Sequence, residues 1–316
     1  MKAHFWVFVT DPWSSLDHSK DTSLRLMEEA ALRRVHVFWA DYQSIRLEDG
    51  DVLLDSLSLS YDEIRSARKT GKLPHSTTWT TSPKSFSQIH YRVDPPVDLS
   101  YIHPLQILNQ TAGKRLVNPP DSLVLFSEKI LASEIPELFP KTCVSSAEAV
   151  LERFLLEEKQ AVLKPLHHAQ SKGVSLLQSS DLHSAKETLR LMTENFKRPV
   201  LLQEFLPEVA EKGETRLWFI DGRLLASVQK VPARGEFLID MDRGGKLTHS
   251  RLRAQDKSAI KKIGVLLKKH RIRLAAVDWI AGKITDFNIT SPGLIVQMEL
   301  LLKDNLALKI VKALKR

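Results

Sequence analysis

The first 120 residues alternate between short apolar runs and amphipathic helical segments, and this alternation restricts the fold more than any other feature. Strand signals occupy residues 4–9, 35–40 and 88–93, and a helical stripe occupies residues 21–34. Alternating strands and helices are typical of a mainly parallel sheet with helices on both faces. Because ligands bind such sheets beyond the carboxyl ends of the strands, we expect binding loops there.

The rest of the chain carries its strand and helix signals in a different order. Residues 62–87 are rich in Ser, Thr and Lys and predict a long surface connection. From residue 122 onward, the patterns predict helices at 122–139, 145–158, 182–196, 254–269 and 299–314, and strands at 160–166, 173–177, 199–205, 215–220 and 223–230. A chain of 316 residues has room for about two domains.

Composition excludes several classes of protein. With 43% hydrophobic and 27% charged residues, the chain is expected to be globular and soluble, and no apolar run reaches membrane-spanning length. The single cysteine, Cys143, excludes an internal disulfide framework and favours the cytoplasm. The net charge of +8 is dispersed over predicted helices without a nucleic-acid-binding motif. An anionic substrate such as a nucleotide would also favour a positive cleft.

The stretch 275–292 is predicted to form two short strands joined at a tight turn. Asp278 lies in the first strand, and Asp286 and Asn288 share one face of the second because they are two residues apart. Three oxygen-bearing side chains near one hairpin suit a hard cation such as Mg²⁺. On spacing alone, an ordinary hairpin with a polar face is the more common explanation.

Two lysines on separate elements, Lys129 and Lys164, carry the compact charge that suits phosphate oxygens. The sequence contains neither a Gly-x-x-x-x-Gly-Lys-Ser/Thr loop nor a Gly-x-Gly-x-x-Gly motif, which argues against a P-loop or Rossmann nucleotide enzyme. Each lysine alone is most often a surface charge. Together with the hairpin, they make a nucleotide site the hypothesis to test.

Short motifs in a shared order extend over nearly the whole chain. They are Lys20-Asp21-Thr22-Ser23, Arg92-Val93-Asp94-Pro95-Pro96, Val117-Asn118-Pro119-Pro120, Glu128-Lys129, Leu163-Lys164-Pro165-Leu166, Gln203-Glu204-Phe205-Leu206-Pro207, Gly213-Glu214-Thr215-Arg216, Val277-Asp278 and Asp286-Phe287-Asn288-Ile289-Thr290-Ser291-Pro292. In these motifs the chain resembles the bacterial glutathione synthetases, a branch of the ATP-grasp ligases. The resemblance implies an α/β protein with an N-terminal parallel-sheet domain at 1–121, an ATP-grasp small lobe at 122–200 and a large lobe with the metal site at 201–316.

The resemblance also implies a role for each matched position. ATP would be held through phosphate contacts from Lys129 and Lys164, an adenine hinge at Gln203, Glu204, Phe205 and Leu206, and a ribose contact from Glu214. The metal ligands would be Asp278, Asp286 and Asn288, with Mg²⁺ as the metal and Mn²⁺ as the alternative. Arg216 and Lys230 would face the reacting centre, and the substrate positions would be Asp11, Lys20, Asp21, Ser23, Arg92, Asp94, Ser291 and Pro292.

The reaction implied by the resemblance is activation of a carboxylate as an acyl phosphate, followed by attack of an amine. The expected substrates are γ-glutamylcysteine and glycine, with no nucleic acid or membrane partner, and the family implies a homo-oligomer. Two alternatives stay open: a ligase with another peptide or amino-acid substrate, and a non-catalytic protein that binds nucleotide.

Departures from the family motifs keep these alternatives open. The loop at 167–173 contains one glycine where the family loop is glycine-rich, so it has less backbone freedom to close over phosphates. Leu238 and Val296 stand where the family has arginines, Lys230 replaces an arginine, and Asp286 replaces a glutamate. The ATP and metal positions are therefore better kept than those expected to choose the substrates.

Overall fold

The computed structural model of the protein describes residues 3–74, 77–126, 128–167, 173–241 and 244–316. Its strands form three β-sheets, of seven, four and five strands in chain order. In the described part of the chain, no helix is both long and apolar enough to cross a membrane.

The seven-stranded sheet is built by the N-terminal third. Its elements are β1 (Phe5–Thr10), α1 (Thr22–Leu32), β2 (His36–Asp41), β3 (Arg46–Glu48), β4 (Asp51–Leu59), α2 (Tyr61–Thr70), β5 (Thr78–Thr81), β6 (Gln88–Tyr91), α3 (Leu99–Ala112), β7 (Leu116–Val117) and α4 (Pro120–Leu125). The strand order is β3-β4-β2-β1-β6-β7, with β5 paired to β4. The centre from β2 to β7 is parallel, as predicted, whereas β3, β4 and β5 add an antiparallel edge.

The prediction of a long surface connection at 62–87 was wrong. Helix α2 begins with a capping box, in which the Ser60 side chain accepts a hydrogen bond from the Glu63 backbone and Glu63 reaches back to the Ser60 backbone. It ends at Gly71, whose φ of 73° lies in the left-handed region. Buried Ile64 and Ala67 fix the helix to the core. The polar composition of the segment obscured these helix signals.

The four-stranded sheet forms a small lobe. Its elements are β8 (Thr142–Ser145), α5 (Glu148–Glu158), β9 (Gln160–Pro165), β10 (Ser175–Gln178), α6 (Leu182–Met192) and β11 (Val200–Glu204). All pairs are antiparallel, in the order β10-β9-β11-β8. Strand β11 pairs with both β8 and β9, so the sheet includes residues up to Glu204. The helix predicted at 145–158 begins later, after Ala147, without a side-chain cap.

The five-stranded sheet forms the large lobe. Its elements are α7 (Glu208–Lys212), β12 (Glu214–Ile220), β13 (Arg223–Val231), β14 (Lys246–His249), α8 (Asp256–Lys269), β15 (Leu274–Ile280), β16 (Lys283–Asn288), α9 (Ile295–Leu302) and α10 (Leu306–Leu314). The sheet is antiparallel, in the order β14-β13-β12-β15-β16. The hairpin predicted at 275–292 is therefore confirmed, with its turn at Ala281 and Gly282, which both have positive φ.

Two predicted helices are interrupted. The segment predicted as one helix at 299–314 is two helices, because Lys303 adopts a left-handed φ of 52° and Asn305 caps α10 by accepting a hydrogen bond from Leu308. The helix predicted at 122–139 stops at Leu125. Short 3₁₀ turns at Leu131–Glu134 and Pro136–Leu138 follow it. Proline at a first helical position begins a turn but cannot continue the preceding one.

Hydrophobic packing joins the first and third sheets and leaves the small lobe separate. One buried cluster contains Val7 from the N-terminal sheet and Phe287 from the large lobe, and a second contains Trp6 and Trp218. The buried cluster of the small lobe draws only on its own elements. The N-terminal domain and the large lobe thus form one packed body.

Asn118, which follows β7, ties these two sheets together. Its side-chain amide donates to the carbonyls of Leu274 and Ile289, both at 2.7 Å. Its Oδ1 accepts from the backbone N–H groups of Arg273 and Leu274, at 2.8 and 2.9 Å. One side chain therefore holds the start of β15 and the end of β16, the two strands that carry the candidate metal ligands.

Replacing Asn118 with leucine is expected to lower the free energy of unfolding by about 3 kcal/mol, because buried backbone groups would lose their partners. Urea denaturation measures this change. The matched control is Asn109→Leu on an exposed position of α3, expected within about 0.5 kcal/mol of the parent protein. A loss no larger than that of the control would contradict the bridging role of Asn118.

Candidate functional site

A cleft with a volume of about 820 Å³ is lined by residues of the small and large lobes and by loops and the start of α1 from the N-terminal domain. Every predicted site residue lines this cleft except Asp11 and Pro292. The cleft therefore brings together positions that are separated by more than 250 residues in the sequence, from Lys20 to Ser291. Asp11 and Pro292 lie outside the cleft lining, but each accepts a hydrogen bond from a residue that lines the cleft. Asp11 accepts from Asp94, and Pro292 accepts from Arg92.

Asp278 is the centre of a buried ion cluster on β15. Arg216, on the neighbouring strand β12, donates to both carboxylate oxygens through Nε at 2.9 Å and Nη2 at 2.7 Å. Lys230 on β13 approaches Oδ1 at 3.3 Å. Asn288 on β16 donates to Oδ2 at 3.3 Å. Three strands of the sheet thus direct polar groups at one carboxylate on a fourth strand.

The positive charges around Asp278 keep its carboxyl group ionised. Burial raises the pKa of Asp278, but Arg216 and Lys230 outweigh it, and the net effect holds the pKa below its usual range. Burial raises the pKa of Glu214, with the Asp278 charge adding to the effect and Lys230 opposing it. Lys230 also forms a short ion pair with Glu214. An ionised carboxylate that is bound by the Arg216 and Lys230 side chains can also bind a metal cation.

Asp286 and Lys129 stand beside this cluster. The Nζ of Lys129 lies 3.9 Å from Oδ2 of Asp286. The other oxygen, Oδ1, is buried and has no hydrogen-bond partner among the described residues. No three His, Cys, Asp or Glu side chains form a metal-like group in the described ranges. The candidate set is therefore two carboxylates and the Asn288 amide, and the unsatisfied Oδ1 of Asp286 fits a divalent cation that prefers oxygen ligands.

Glu128, which the sequence motifs marked without giving it a role, anchors the Lys129 turn. Its Oε1 accepts hydrogen bonds from the backbone N–H of Ile289 at 2.6 Å and from the N–H and hydroxyl of Thr290 at 2.9 Å. Its backbone carbonyl accepts from the Phe287 N–H at 2.8 Å. These contacts pull the chain toward the hairpin and place Lys129 in a turn, not inside the helix predicted at 122–139.

The small lobe contributes Lys164 and the segment 203–206 to the other side of the cleft. Lys164 on β9 donates to Gln203 Oε1 at 2.9 Å and to the Thr285 carbonyl of the large lobe at 3.0 Å. Burial lowers the pKa of its ammonium. The ring of Phe205 packs edge-on against Phe237, with centroids 5.8 Å apart. An apolar wall and a cation thus face the same space.

In the segment 203–206, not every backbone N–H group donates a hydrogen bond to another described residue. The Glu204 N–H donates to the Lys141 carbonyl at 2.9 Å, and the Phe205 N–H donates to the Gln160 carbonyl at 3.3 Å. The Leu206 N–H has no hydrogen-bond partner within the described ranges. A backbone donor beside an aromatic wall suits the edge of a planar heterocycle.

At the opposite end of the cleft, the predicted substrate positions form a network around Arg92. Its Nε donates to the Ser23 hydroxyl at 2.8 Å and its Nη2 to the Pro292 carbonyl at 3.0 Å. Arg92 is buried, and this burial lowers its pKa. None of the described carboxylates forms an ion pair with it. A buried cation whose hydrogen-bond partners are neutral is suited to an anionic ligand.

Three other predicted substrate positions have structural partners. Asp21 caps α1 by accepting from the Leu24 N–H at 2.8 Å, and burial raises its pKa. Asp11 accepts from the Asp94 N–H at 2.8 Å. Asp94 in turn accepts a short hydrogen bond from Ser291. These contacts link the loops after β1, β6 and β16 at one end of the cleft.

The family departures fall in different places. Leu238 lines the cleft, whereas Val296 does not, and its neighbour Gln297 does. The loop at 167–173 lies largely outside the described residues, which include only His167 and Gly173 of it. The His167 carbonyl accepts from the Val97 N–H at 3.1 Å, so this end of the loop touches the N-terminal domain.

Gly213 permits the close approach of Lys230 to the cluster. Its φ is 70°, and a Cβ there would lie 1.9 Å from the Lys230 carbonyl oxygen. Gly213→Ala is therefore expected to lower the free energy of unfolding by more than about 4 kcal/mol, as measured by urea denaturation.

Gly50→Ala is the matched control for Gly213→Ala. Gly50 has a φ of 87° but no neighbour within 4 Å of a Cβ, so only backbone strain of about 1–2 kcal/mol is expected. Equal losses of unfolding free energy in the two variants would show that backbone strain, and not a clash with Lys230, accounts for the effect of Gly213→Ala.

Comparison with known proteins identifies the family. The model described as "Prokaryotic glutathione synthetase, N-terminal domain" matches residues 5–123, and "Prokaryotic glutathione synthetase, ATP-grasp domain" matches residues 128–303. The glutathione synthetase of Synechococcus elongatus is 29% identical over 292 residues, which cover 90% of each chain. That of Parasynechococcus marenigrum is 29% identical over 312 residues, which cover 98% of each chain.

A solved structure shares the fold at lower identity. The structure of D-cycloserine synthetase DcsG superimposes with a TM-score of 0.69 at 18% identity, covering 98% of each chain. The predicted arrangement, an N-terminal α/β domain followed by an ATP-grasp fold, is confirmed by this likeness and by the two matched domains. The chain belongs to the prokaryotic glutathione synthetase family, and it is an ATP-grasp ligase that uses ATP with a divalent metal ion to form a peptide bond.

Proposed function

We propose that this protein joins γ-glutamylcysteine to glycine, with conversion of ATP to ADP and phosphate. The observation that carries this proposal is the meeting of the Asp278 ion cluster with Lys129 and Lys164 in one cleft, in a chain of this family. The carboxylate of the dipeptide would attack the terminal phosphorus of ATP, giving an acyl phosphate and ADP. The glycine amine would then attack the acyl carbon, phosphate would leave, and the amine proton would pass to solvent.

ATP would lie between the two lobes. Lys129 and Lys164 would bind its phosphate oxygens, and the support is that both lysines line the cleft. The Leu206 N–H is available to the adenine edge, and Phe205 and Phe237 offer an apolar wall. Glu214 would accept hydrogen bonds from the ribose. Gln203, whose Oε1 holds Lys164, would act by positioning that lysine.

A divalent ion, with Mg²⁺ preferred and Mn²⁺ as the alternative, would be held by Asp286, Asp278 and Asn288. The support is the unsatisfied Oδ1 of Asp286 and the convergence of all three side chains on one hairpin. Such an ion neutralises phosphate charge when bound. Asp286 carries a shorter side chain than the family glutamate, and its Oδ2 lies 3.9 Å from the Nζ of Lys129.

The cationic side chains would serve the reacting groups. Arg216 and Lys230, which now pair with Asp278, would also pair with the bound nucleotide and neutralise the charge that develops on the transferred phosphoryl group. Arg92 would pair with a substrate carboxylate, because it is buried and has only neutral hydrogen-bond partners. Lys20, Asp21, Ser23, Asp94 and Ser291 would complete the substrate end, with Asp11 and Pro292 supporting it from behind.

The test is phosphate release in the presence of ATP, Mg²⁺, γ-glutamylcysteine and glycine, with each component omitted in turn. Release that depends on both amino-acid substrates, together with glutathione in the product, is the expected result. If no phosphate release depends on both γ-glutamylcysteine and glycine, the proposal is wrong.

A ligase with a different substrate is the second candidate, favoured by Leu238, an apolar side chain on the cleft wall at a position where the family has arginine. A screen of amino acids and short peptides for phosphate release separates it from the first. The third candidate, a nucleotide-binding protein without catalysis, predicts a rise in Tm with ATP and Mg²⁺ but no turnover. We also expect a cytoplasmic homo-oligomer, and light scattering measures its mass.

A further inference from the structure

Glu128 has one carboxylate oxygen that no described residue binds. Its Oε1 accepts hydrogen bonds from the Ile289 N–H and from the N–H and hydroxyl of Thr290. Its Oε2 accepts none from the part of the chain that the structure describes, and no described cation forms an ion pair with the residue. Glu128 is only 7% exposed and lines the cleft. Buried polar atoms in native proteins nearly always have a partner, so Oε2 points to a donor on a bound molecule.

The charge of Glu128 indicates which kind of donor that is. A buried carboxylate without a paired cation is destabilised by the loss of its hydration. Burial raises the pKa of Glu128 and the nearby charge of Asp286 adds to this effect, whereas the backbone donors and Lys129 oppose it. Lys129 lies 3.9 Å from Asp286, with which it pairs. A positively charged donor at Oε2 would offset the burial of this carboxylate, and an ammonium group is such a donor.

Glu128 also lies between the two ends of the cleft. On one side are Lys129 and Asp286, at the proposed phosphate and metal end. On the other side, its partner Thr290 directly precedes Ser291, at the proposed substrate end. An acyl phosphate would join these two ends, because its acyl carbon comes from the peptide and its phosphoryl group comes from ATP. An amine that attacks the acyl carbon must reach this middle part of the cleft.

We propose that Oε2 of Glu128 binds the ammonium group of the acceptor amino acid and holds it beside the acyl phosphate. This assignment rests on the proposed function, because it presumes an acyl phosphate in the cleft. Before attack, the ammonium releases one proton to solvent. The free amine then forms the C–N bond while the bond between the acyl carbon and the phosphate oxygen breaks, and the nitrogen releases a second proton to solvent. Glu128 thus acts as a substrate-binding residue for the second half of the reaction.

Glu128→Gln tests this assignment, because the amide oxygen can still accept from Ile289 and Thr290 while an NH₂ group replaces Oε2. The KM for glycine is expected to rise by about 10- to 100-fold, the effect of losing a hydrogen bond between charged groups. The KM values for ATP and for γ-glutamylcysteine should stay within about twofold of those of the parent protein. Phosphate release at varied concentrations of each substrate measures all three. An unchanged KM for glycine would show that the proposal is wrong.

Hydroxylamine separates binding of the acceptor from formation of the acyl phosphate. It is uncharged at neutral pH, and it attacks an acyl phosphate to give a hydroxamate and phosphate. With ATP, Mg²⁺ and γ-glutamylcysteine, Glu128→Gln should form the hydroxamate at close to the rate of the parent protein. Loss of the hydroxamate would place the effect of Glu128 on phosphoryl transfer and overturn the proposal. A higher Mg²⁺ requirement with an unchanged KM for glycine would assign Oε2 to a metal cation and would overturn it too.

Glu299→Gln on α9 is the matched control. Glu299 also accepts a backbone hydrogen bond through Oε1, from the Ala307 N–H at 2.8 Å, but it lies outside the cleft lining. Its KM for glycine should stay within about twofold of that of the parent protein.

If the parent protein forms neither glutathione nor the hydroxamate, the proposed function fails. Isothermal titration of glycine into the parent protein and Glu128→Gln, both saturated with Mg²⁺ and a non-hydrolysable ATP analogue, then decides the Glu128 assignment. Weaker binding of glycine to the variant supports it. Equal binding to both proteins, or binding to neither, overturns it.

Discussion

Replacement of Asp278 with asparagine is expected to lower the rate of ATP-dependent phosphate release by about 100-fold or more, the usual effect of removing one group that stabilises developing charge. Asparagine has the same shape, but it cannot neutralise Arg216 and Lys230 or serve as an anionic metal ligand. The measurement is substrate-dependent phosphate release at saturating ATP and Mg²⁺, and circular dichroism checks that the fold is intact.

Asp221→Asn is a matched control for Asp278→Asn. Asp221 also forms a two-bond ion pair with an arginine, to Nε and Nη2 of Arg273 at 2.7 and 3.0 Å, but it lies outside the cleft lining. The control should retain phosphate release close to that of the parent protein. Unchanged release in Asp278→Asn would remove the hairpin from the active site.

Lys164→Met is expected to weaken ATP binding by roughly 10- to 100-fold, since a charge-assisted hydrogen bond contributes about 1.5–3 kcal/mol. Methionine fills the same volume without the ammonium group, and it also loses the bonds to Gln203 and Thr285. Isothermal titration with a non-hydrolysable ATP analogue and Mg²⁺ measures the affinity directly, independent of turnover.

The comparison for Lys164→Met is Lys197→Met, an exposed lysine of the same lobe outside the cleft. Its affinity for the analogue should match that of the parent protein. Equal affinities for all three proteins would show that Lys164 does not contact the nucleotide. Both ligase candidates would then need another phosphate-binding group.

The sequence predicted those parts of the fold and site that local patterns encode. The hairpin at 275–292 was predicted from two short strand signals joined at a tight turn, and both strands were confirmed. The alternation in the first third predicted the parallel centre of the first sheet. Resemblance to a family predicted which positions line the cleft, although it could not give their contacts.

What the sequence did not predict depends on contacts between distant residues. Glu128 binds Ile289 and Thr290 across more than 160 residues, and the bonds of Asn118 to the hairpin span a similar distance. Such pairs leave no periodic signal in either segment. The same contacts explain the wrong helix at 122–139, because tertiary bonds at Glu128 outweigh the local helical preference of the segment.

Hydrophobic packing joins the N-terminal domain to the large lobe, so Arg92 and Asp278, at opposite ends of the cleft, belong to one packed body. Lys164 belongs to the small lobe and contacts that body by donating a hydrogen bond to the Thr285 carbonyl. An opening between the lobes would separate Lys164, which we propose binds phosphate, from the hairpin without changing the distance between Arg92 and Asp278. In the proposed function, the groups that hold the peptide and the metal ion would then belong to one body, and a phosphate-binding lysine would belong to the other.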